Sequence, residues 1–91
     1  MFVAGKKSGT IRFCYKSSTS ANEVFVAGTF SQWKPLAMRK QKDGSFALTI
    51  AVPDGTCEYK FVVDGNWTTD PDNSCYVLNA CGTANSVAQA A

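Results

Sequence analysis

The segment Tyr59–Trp67 constrains the fold more than any other part of this 91-residue chain. Apolar residues at positions 59, 61 and 63 alternate with Lys60, and a period of two is typical of a half-buried β-strand. Asp64-Gly65 follows and tolerates the positive φ angles of a tight hairpin turn. We therefore expect Lys60 to point away from the core and Trp67 to return beside it on the next strand.

Alternating apolar residues predict further strands along the chain, and no segment has a helical period of adequate length. Three Asp-Gly turns at intervals of about ten residues favour an all-β sandwich or barrel. We expect residues 1–9 to form a flexible arm and residues 10–91 to form one domain, because a chain of this length has room for a single core. The predicted strands are Thr10–Lys16, Val24–Ala27, Leu36–Lys42, Phe46–Val52, Thr56–Val63 and Thr83–Ala88.

Composition excludes several classes of protein. Hydrophobic residues make up 45% of the chain and charged residues 18%, which fits an ordered globular protein. The net charge of +2 is too small to demand a polyanionic partner. No apolar run is long enough to span a membrane, and the N-terminal residues do not form a secretory signal. We therefore expect the cytoplasm, or another intracellular compartment such as a plastid.

The cysteine pattern predicts neither a metal site nor a cofactor. A reducing compartment favours free thiols, and pairing of Cys75 with Cys81 under oxidation is a minor alternative. The chain contains no His and no C-x-x-C pair, so the usual zinc ligands are missing. The run Asp70-x-Asp72 lacks the glycine and the terminal glutamate of a calcium loop. Cys57 shares the inward parity of the central strand and is predicted to be a core residue.

Two tryptophans suggest a recognition surface. Trp33 lies in a predicted loop and Trp67 follows a tight turn, although tryptophans are often core residues. Exposed indole rings match the C–H face of a sugar, and Lys60, Thr83 and Asn85 offer hydrogen bonds to hydroxyl groups. Aromatic rings and cations also suit single-stranded nucleic acid. The basic residues of that alternative are Lys34, Arg39, Lys40 and Lys42, although such a cluster is more typical of an edge strand protected by charge.

Catalysis has weak support from the sequence. Glycoside hydrolysis usually needs two carboxylates that flank a cleft, and most of the acidic residues here belong to turns. Nucleophilic triads that contain histidine are excluded. We therefore expect a protein that is not an enzyme.

Five short motifs occur in a fixed order between residues 24 and 85: Val24–Trp33, Pro53-Asp54-Gly55, Tyr59–Trp67, Asp70-Pro71 and Gly82–Asn85. This ordered set resembles carbohydrate-binding module family 48, and within it the glycogen-binding modules of AMP-activated protein kinase β subunits. The resemblance implies an immunoglobulin-like antiparallel β-sandwich of the early-set type. It also implies binding of α-1,4-glucans without catalysis, and association with a kinase or a glucan-metabolising enzyme rather than with membrane or nucleic acid.

The resemblance also implies which residues bind carbohydrate. The two tryptophans that hold the glucan in that family fall on Trp33 and Trp67. The binding lysine, threonine and asparagine fall on Lys60, Thr83 and Asn85. The family has a leucine directly before its Gly-Thr pair. Cys81 occupies that place here, and Leu78 is the alternative source of a leucine side chain. An interaction module with a weak or lost sugar site is the alternative function.

Overall fold

The chain folds as an antiparallel β-sandwich. The computed structural model describes residues 1–5, 8–16, 22–52, 55–70, 73, 75–79 and 82–89. The described residues form one sheet in the order β1-β2-β6-β5 and a second in the order β4-β3-β7-β10-β9, with β8 also paired to β7. The predicted all-β sandwich is therefore confirmed. The strands are β1 (Phe2–Ala4), β2 (Thr10–Tyr15), β3 (Val24–Gly28), β4 (Leu36–Ala37), β5 (Arg39–Lys40), β6 (Phe46–Ala51), β7 (Thr56–Val63), β8 (Asn66–Thr68), β9 (Tyr76–Leu78) and β10 (Ala84–Gln89).

Aromatic rings from both sheets fill the core. Tyr59 and Phe61 of β7 are fully buried, as is Phe13 of β2. The ring centroids of Phe13 and Tyr59 lie 4.7 Å apart, and Tyr15 meets Phe61 at 5.1 Å. The inward parity predicted for these strands is confirmed, and Cys57 joins the core with 5% of its surface exposed. Because odd-numbered residues of β7 point inward, its even-numbered residues form the outer face of the second sheet.

A buried tyrosine–aspartate pair connects β7, β10 and the N-terminal residue. The hydroxyl of Tyr59 donates to the carboxylate of Asp70, which also contacts the α-amino group of Met1. The amide N–H of Asp70 donates to Ser86 Oγ at 3.1 Å. Burial, with the hydrogen bond to Asp70 as a further cause, raises the pKa of Tyr59 above its ordinary value. The phenol is therefore held in its neutral form.

The predicted strand Leu36–Lys42 is wrong as a single strand. β4 pairs with β3 in the second sheet, whereas β5 pairs with β6 in the first. Between them Met38 is 7% exposed, and its amide N–H donates to the carbonyl of Val24 at 2.9 Å. The chain passes from one sheet to the other at this residue. β5 is the edge of its sheet, so the charged edge strand that we predicted is confirmed for Arg39–Lys40.

Two short strands were not predicted from the sequence. Phe2–Ala4 was assigned to a loose arm, but β1 pairs with β2, with Phe2 opposite Phe13. Tyr76–Leu78 was assigned no strand, but β9 pairs with β10. The division of the chain into an arm and one domain stays a prediction. Within the described residues, no helix has the length and apolar character needed to cross a membrane.

Candidate functional site

Lys60 stands at the centre of the outer face of the second sheet. β10 pairs with β7 up to Tyr59, and β8 pairs with β7 from Phe61 onward. Lys60 thus lies where one neighbouring strand replaces the other. Because its position is even, its side chain points outward, as the alternation in the sequence predicted.

A tight turn places Trp67 on this same face. Asp64 and Gly65 have φ angles of 48° and 87°, the left-handed values that the Asp-Gly turn predicted. Trp67 is the direct register partner of Val62, so the two side chains share one face. The indole is 51% exposed. The Asp64 carboxylate also accepts hydrogen bonds from the backbone N–H groups of Asn22 and Glu23, at 3.0 and 2.9 Å, which fixes the turn to the start of β3.

A strained loop presents Trp33. Residues 29–31 form one turn of 3₁₀-helix, after which Gln32 and Trp33 both have positive φ, at 55° and 63°. A bulky residue in this region is uncommon, and such strain often occurs at functional sites. The Trp33 N–H donates to the Gly28 carbonyl at 2.9 Å, and Ser31 Oγ donates to the Lys34 carbonyl at 2.8 Å. These bonds hold the strained backbone in place.

A chain of hydrogen bonds links the polar residues of this face. Lys60 Nζ donates to Thr83 Oγ1 at 2.9 Å, and Asn79 Nδ2 donates to the same oxygen at 2.7 Å. Asn79 Nδ2 also reaches Asn85 Oδ1 at 3.2 Å, and Asn85 Nδ2 donates to Glu58 Oε1 at 3.1 Å. The network begins at a cation and ends at a carboxylate. Its side chains are therefore oriented before any ligand arrives, which limits the entropy lost on binding.

The two tryptophans and this network surround one open cavity of about 510 Å³. That volume is within the range of small-molecule sites. We call it the tryptophan cavity; its lining residues are Thr29, Trp33, Glu58, Lys60, Trp67, Asn79 and Asn85. The cavity contains both an apolar surface for a ring and polar groups for hydroxyls, which is the combination that a sugar requires.

The structure brings most of the predicted site residues together. Trp33, Lys60, Trp67 and Asn85 line the cavity, although Asn85 is only 6% exposed. Thr83 is joined to it through the Lys60 and Asn79 hydrogen bonds. Cys81 lies outside the described residues. Leu78 is not among the cavity-lining residues and pairs with Ala84, whereas Val77 pairs with Asn85, so Leu78 points to the other face.

Three lining residues were missed from the sequence. Glu58 has the outward parity of Lys60, and this signal was available in the strand pattern. Thr29 accepts a 3.3 Å hydrogen bond from the Glu58 N–H, a contact between residues far apart in the chain. Asn79 accepts a 3.1 Å hydrogen bond from the Thr83 N–H, and no local sequence pattern predicts this contact.

The free thiols and the basic cluster of the predicted edge strand are not among the residues that line the tryptophan cavity. Burial raises the pKa of the Cys57 thiol to about 11, which keeps it in the unreactive protonated form. Cys75 is exposed and unbridged. Lys34, Arg39 and Lys40 are exposed, as is Lys42. Among the described side chains, no group of three or more histidine, cysteine or acidic residues is placed to hold a metal ion.

Comparison with known proteins identifies relatives. Residues 10–91 match the family model of the glycogen recognition site of AMP-activated protein kinase. The chain is 32% identical over 75 residues to 5'-AMP-activated protein kinase subunit beta-1 of Sus scrofa, and 33% identical over 70 residues to subunit beta-2 of Mus musculus. These alignments cover 82% and 77% of this chain, but 60% and 26% of the relatives. The chain thus spans part of each relative.

A solved structure has a similar fold. A variant pullulanase of Paenibacillus barengoltzii, complexed with maltotetraose, superimposes with a TM-score of 0.63 at 26% identity. The match covers 93% of this chain and 14% of the pullulanase chain. The family match covers most of the chain and includes every residue of the tryptophan cavity. The chain therefore belongs to the family of the glycogen recognition site of AMP-activated protein kinase.

Proposed function

We propose that the chain binds α-1,4-glucans, such as glycogen, starch or maltooligosaccharides, in the tryptophan cavity. The observation that supports this most strongly is that Trp33, Trp67 and Lys60 line the same open cavity. Lys60 lies on β7, at the point where the pairing with β10 ends and the pairing with β8 begins. Two aromatic faces give apolar contact to successive sugar rings. Family membership supports the same ligand class.

The hydrogen-bonded side chains of the cavity offer defined partners to the hydroxyl groups of a sugar. Lys60 supplies an ammonium group with three N–H donors, of which one is directed to Thr83 Oγ1. The Asn85 amide is engaged at both ends, by Asn79 and Glu58, so its orientation is fixed. We propose that Lys60, Thr83 and Asn85 bind sugar hydroxyls, and that Cys81, at the sequence position of the family's leucine, contributes to the same site.

We propose that binding occurs without catalysis. Among the described residues that line the cavity, Glu58 is the one carboxylate, and its Oε1 already accepts from Asn85. Glycoside hydrolysis requires a second carboxylate at a defined separation across the sugar. The arrangement therefore supports retention of the glucan rather than its cleavage.

The expected affinity is modest. Two stacked rings at about 1–2 kcal/mol each and several exposed hydrogen bonds at about 0.5–1 kcal/mol each give roughly 4–6 kcal/mol. This corresponds to a Kd between about 1 mM and tens of micromolar. On a polymer with many sites, such a module would hold an attached or partner protein at the polymer surface through repeated binding. Because the relatives are kinase subunits, we propose an intracellular kinase or glucan-metabolising enzyme as that protein.

Substitution of the tryptophans tests this function. We expect Trp67→Ala and Trp33→Ala each to weaken maltoheptaose binding at least tenfold by calorimetry, because each removes one stacking surface. Tyr76→Ala is the matched control, since Tyr76 is 58% exposed but does not line the cavity. Circular dichroism checks that each variant is folded. Equal affinities for the wild type and both tryptophan variants, or an equal loss in Tyr76→Ala, would contradict the proposal.

The alternative function is docking on a protein through the sandwich itself. The observation that favours it is the similarity to subunits of a kinase complex. Capture of a partner that is unaffected by Trp33→Ala and Trp67→Ala, combined with no measurable binding of maltoheptaose, would support this alternative.

A further inference from the structure

A second cavity adjoins the tryptophan cavity. It measures about 350 Å³ and is open to solvent, and we call it the valine cavity. Thr29 and Glu58 line both cavities, so the boundary between them consists of two shared side chains. The other residues that line the valine cavity are Thr56, Cys57, Val77 and Val87.

The register of the strands places the two cavities side by side on one face of the second sheet. Thr56 and Glu58 have the same outward parity on β7 as Lys60. Val87 pairs directly with Glu58, and Val77 pairs with Asn85 of the tryptophan cavity. The row from Thr56 to Lys60 extends about 13 Å along the strand. The open face therefore continues past Lys60 toward the start of β7.

We propose that the two cavities form one groove, in which the valine cavity is a further subsite for α-1,4-glucan chains too long for the tryptophan cavity alone. This inference rests on the proposed function. Val77 is 42% exposed and, with Val87, offers an apolar surface to the C–H face of a sugar ring. Thr56 is exposed and offers a hydroxyl group.

Glu58 lies at the junction of the two cavities and offers a hydrogen-bond acceptor there. Its side chain lines both cavities, and one of its oxygens accepts from Asn85 at 3.1 Å. A carboxylate has about four acceptor positions, so it accepts further hydrogen bonds from sugar hydroxyls without releasing Asn85. A glucan that crosses from one cavity to the other passes directly over this acceptor.

Three substitutions, two on β9 and one on β10, test the subsite. Val77→Glu places a charge in the valine cavity, whereas Leu78→Glu makes a comparable change on the opposite face of the same edge strand, where Leu78 is 72% exposed. Val87→Thr removes apolar surface with little change in volume. Affinities for maltotriose and maltoheptaose are measured by calorimetry for the wild type and each variant.

We expect Val77→Glu to weaken maltoheptaose binding by roughly fivefold or more, and Val87→Thr by about twofold to threefold, because each removes apolar contact with the longer chain. Maltotriose affinity stays unchanged in both, and Leu78→Glu changes neither ligand. Comparison of the ratio of the two affinities in each variant with the same ratio in the wild type cancels the statistical advantage of a longer ligand.

Three results would overturn the subsite. Unchanged maltoheptaose affinity in both valine variants shows that the sugar does not reach the cavity. An equal loss for maltotriose shows that the effect acts on the tryptophan cavity, and an equal loss in Leu78→Glu shows a general effect of charge on β9. In each case the wild type still binds maltotriose, so the proposed function stands. Absence of binding of either sugar by the wild type overturns the proposed function as well.

Discussion

Gly28 is the residue whose substitution tests most sharply how the sandwich supports the site. It is the last residue of β3 and pairs with Tyr59 of β7. A Cβ atom at this position would lie 2.4 Å from the Glu58 carbonyl oxygen and 2.5 Å from a ring carbon of Phe30. Its φ of −173° is extended and open to any residue. Gly28→Ala therefore introduces a packing conflict without backbone strain.

The cost can be estimated from these distances. Non-bonded heavy atoms normally approach to about 3.5–4.0 Å, so the overlap with the Glu58 carbonyl is about 1 Å. The Phe30 ring can turn aside, but the carbonyl belongs to the backbone of β7, and its displacement disturbs the β3–β7 pairing. Overpacking of this kind costs about 1–3 kcal/mol, and we expect about 2–3 kcal/mol here. For a domain of this size that lowers Tm by about 10–20 °C.

Thermal unfolding followed by circular dichroism measures this loss. Gly44→Ala is the control, since a Cβ there meets no atom within 4 Å although its φ of +87° disfavours alanine. We expect a cost of about 1 kcal/mol in the control, from the backbone alone. We also expect Gly28→Ala, but not Gly44→Ala, to weaken maltoheptaose binding, because Thr29 and Glu58 flank the conflict. A Tm for Gly28→Ala equal to that of the wild type would refute this reasoning.

Three further predictions concern buried groups and the lysine. Burial raises the pKa values of Tyr59 and Cys57 in the folded protein. Both groups therefore contribute stability that is complete below pH 9 and is lost as the pH rises through their pKa values in the folded state. The free energy of unfolding, measured with urea between pH 8 and 11, should fall accordingly, and a value independent of pH would contradict this. A thiol reagent at pH 8 should label exposed Cys75 within the folded protein and leave Cys57 unlabelled until the protein unfolds, whereas equal labelling rates would contradict the burial of Cys57. Lys60→Met should weaken maltoheptaose binding roughly threefold to tenfold with no loss of Tm above a few degrees, because one exposed hydrogen-bonding group is removed; unchanged affinity would exclude Lys60 from the site.

The central strand could be predicted from the sequence because its signal is local. β7 has the predicted bounds, and the parity of Lys60 and the turn before Trp67 follow from alternation and an Asp-Gly dipeptide. β3 was predicted as a central strand from its apolar residues, and it lies between β4 and β7. Both strands have hydrogen-bonded neighbours on both sides, and burial leaves a recognisable apolar pattern in such strands.

The features that could not be predicted depend on contacts between distant segments. β1 exists because it pairs with β2, and nothing in its own residues requires a strand. The change of sheet at Met38 divides a segment that we predicted as one charged strand, because β4 pairs with β3 and β5 pairs with β6. Asn79 enters the site through hydrogen bonds to Thr83 and Asn85, which sequence spacing does not encode. The outward parity of Glu58 could be predicted, but its hydrogen bond to Asn85 could not. Local patterns therefore located the two tryptophans and the lysine but not the groups that orient them.

The most direct test of the central claim is an NMR titration with maltoheptaose that follows the indole N–H signals. The chain contains two tryptophans, so each signal can be assigned with a single Trp→Phe variant. Because Trp33 and Trp67 line the same cavity, both signals should shift together and give one Kd between about 1 mM and tens of micromolar. Signals that stay in place at saturating sugar, or shifts confined to residues remote from the tryptophan cavity, would contradict the claim.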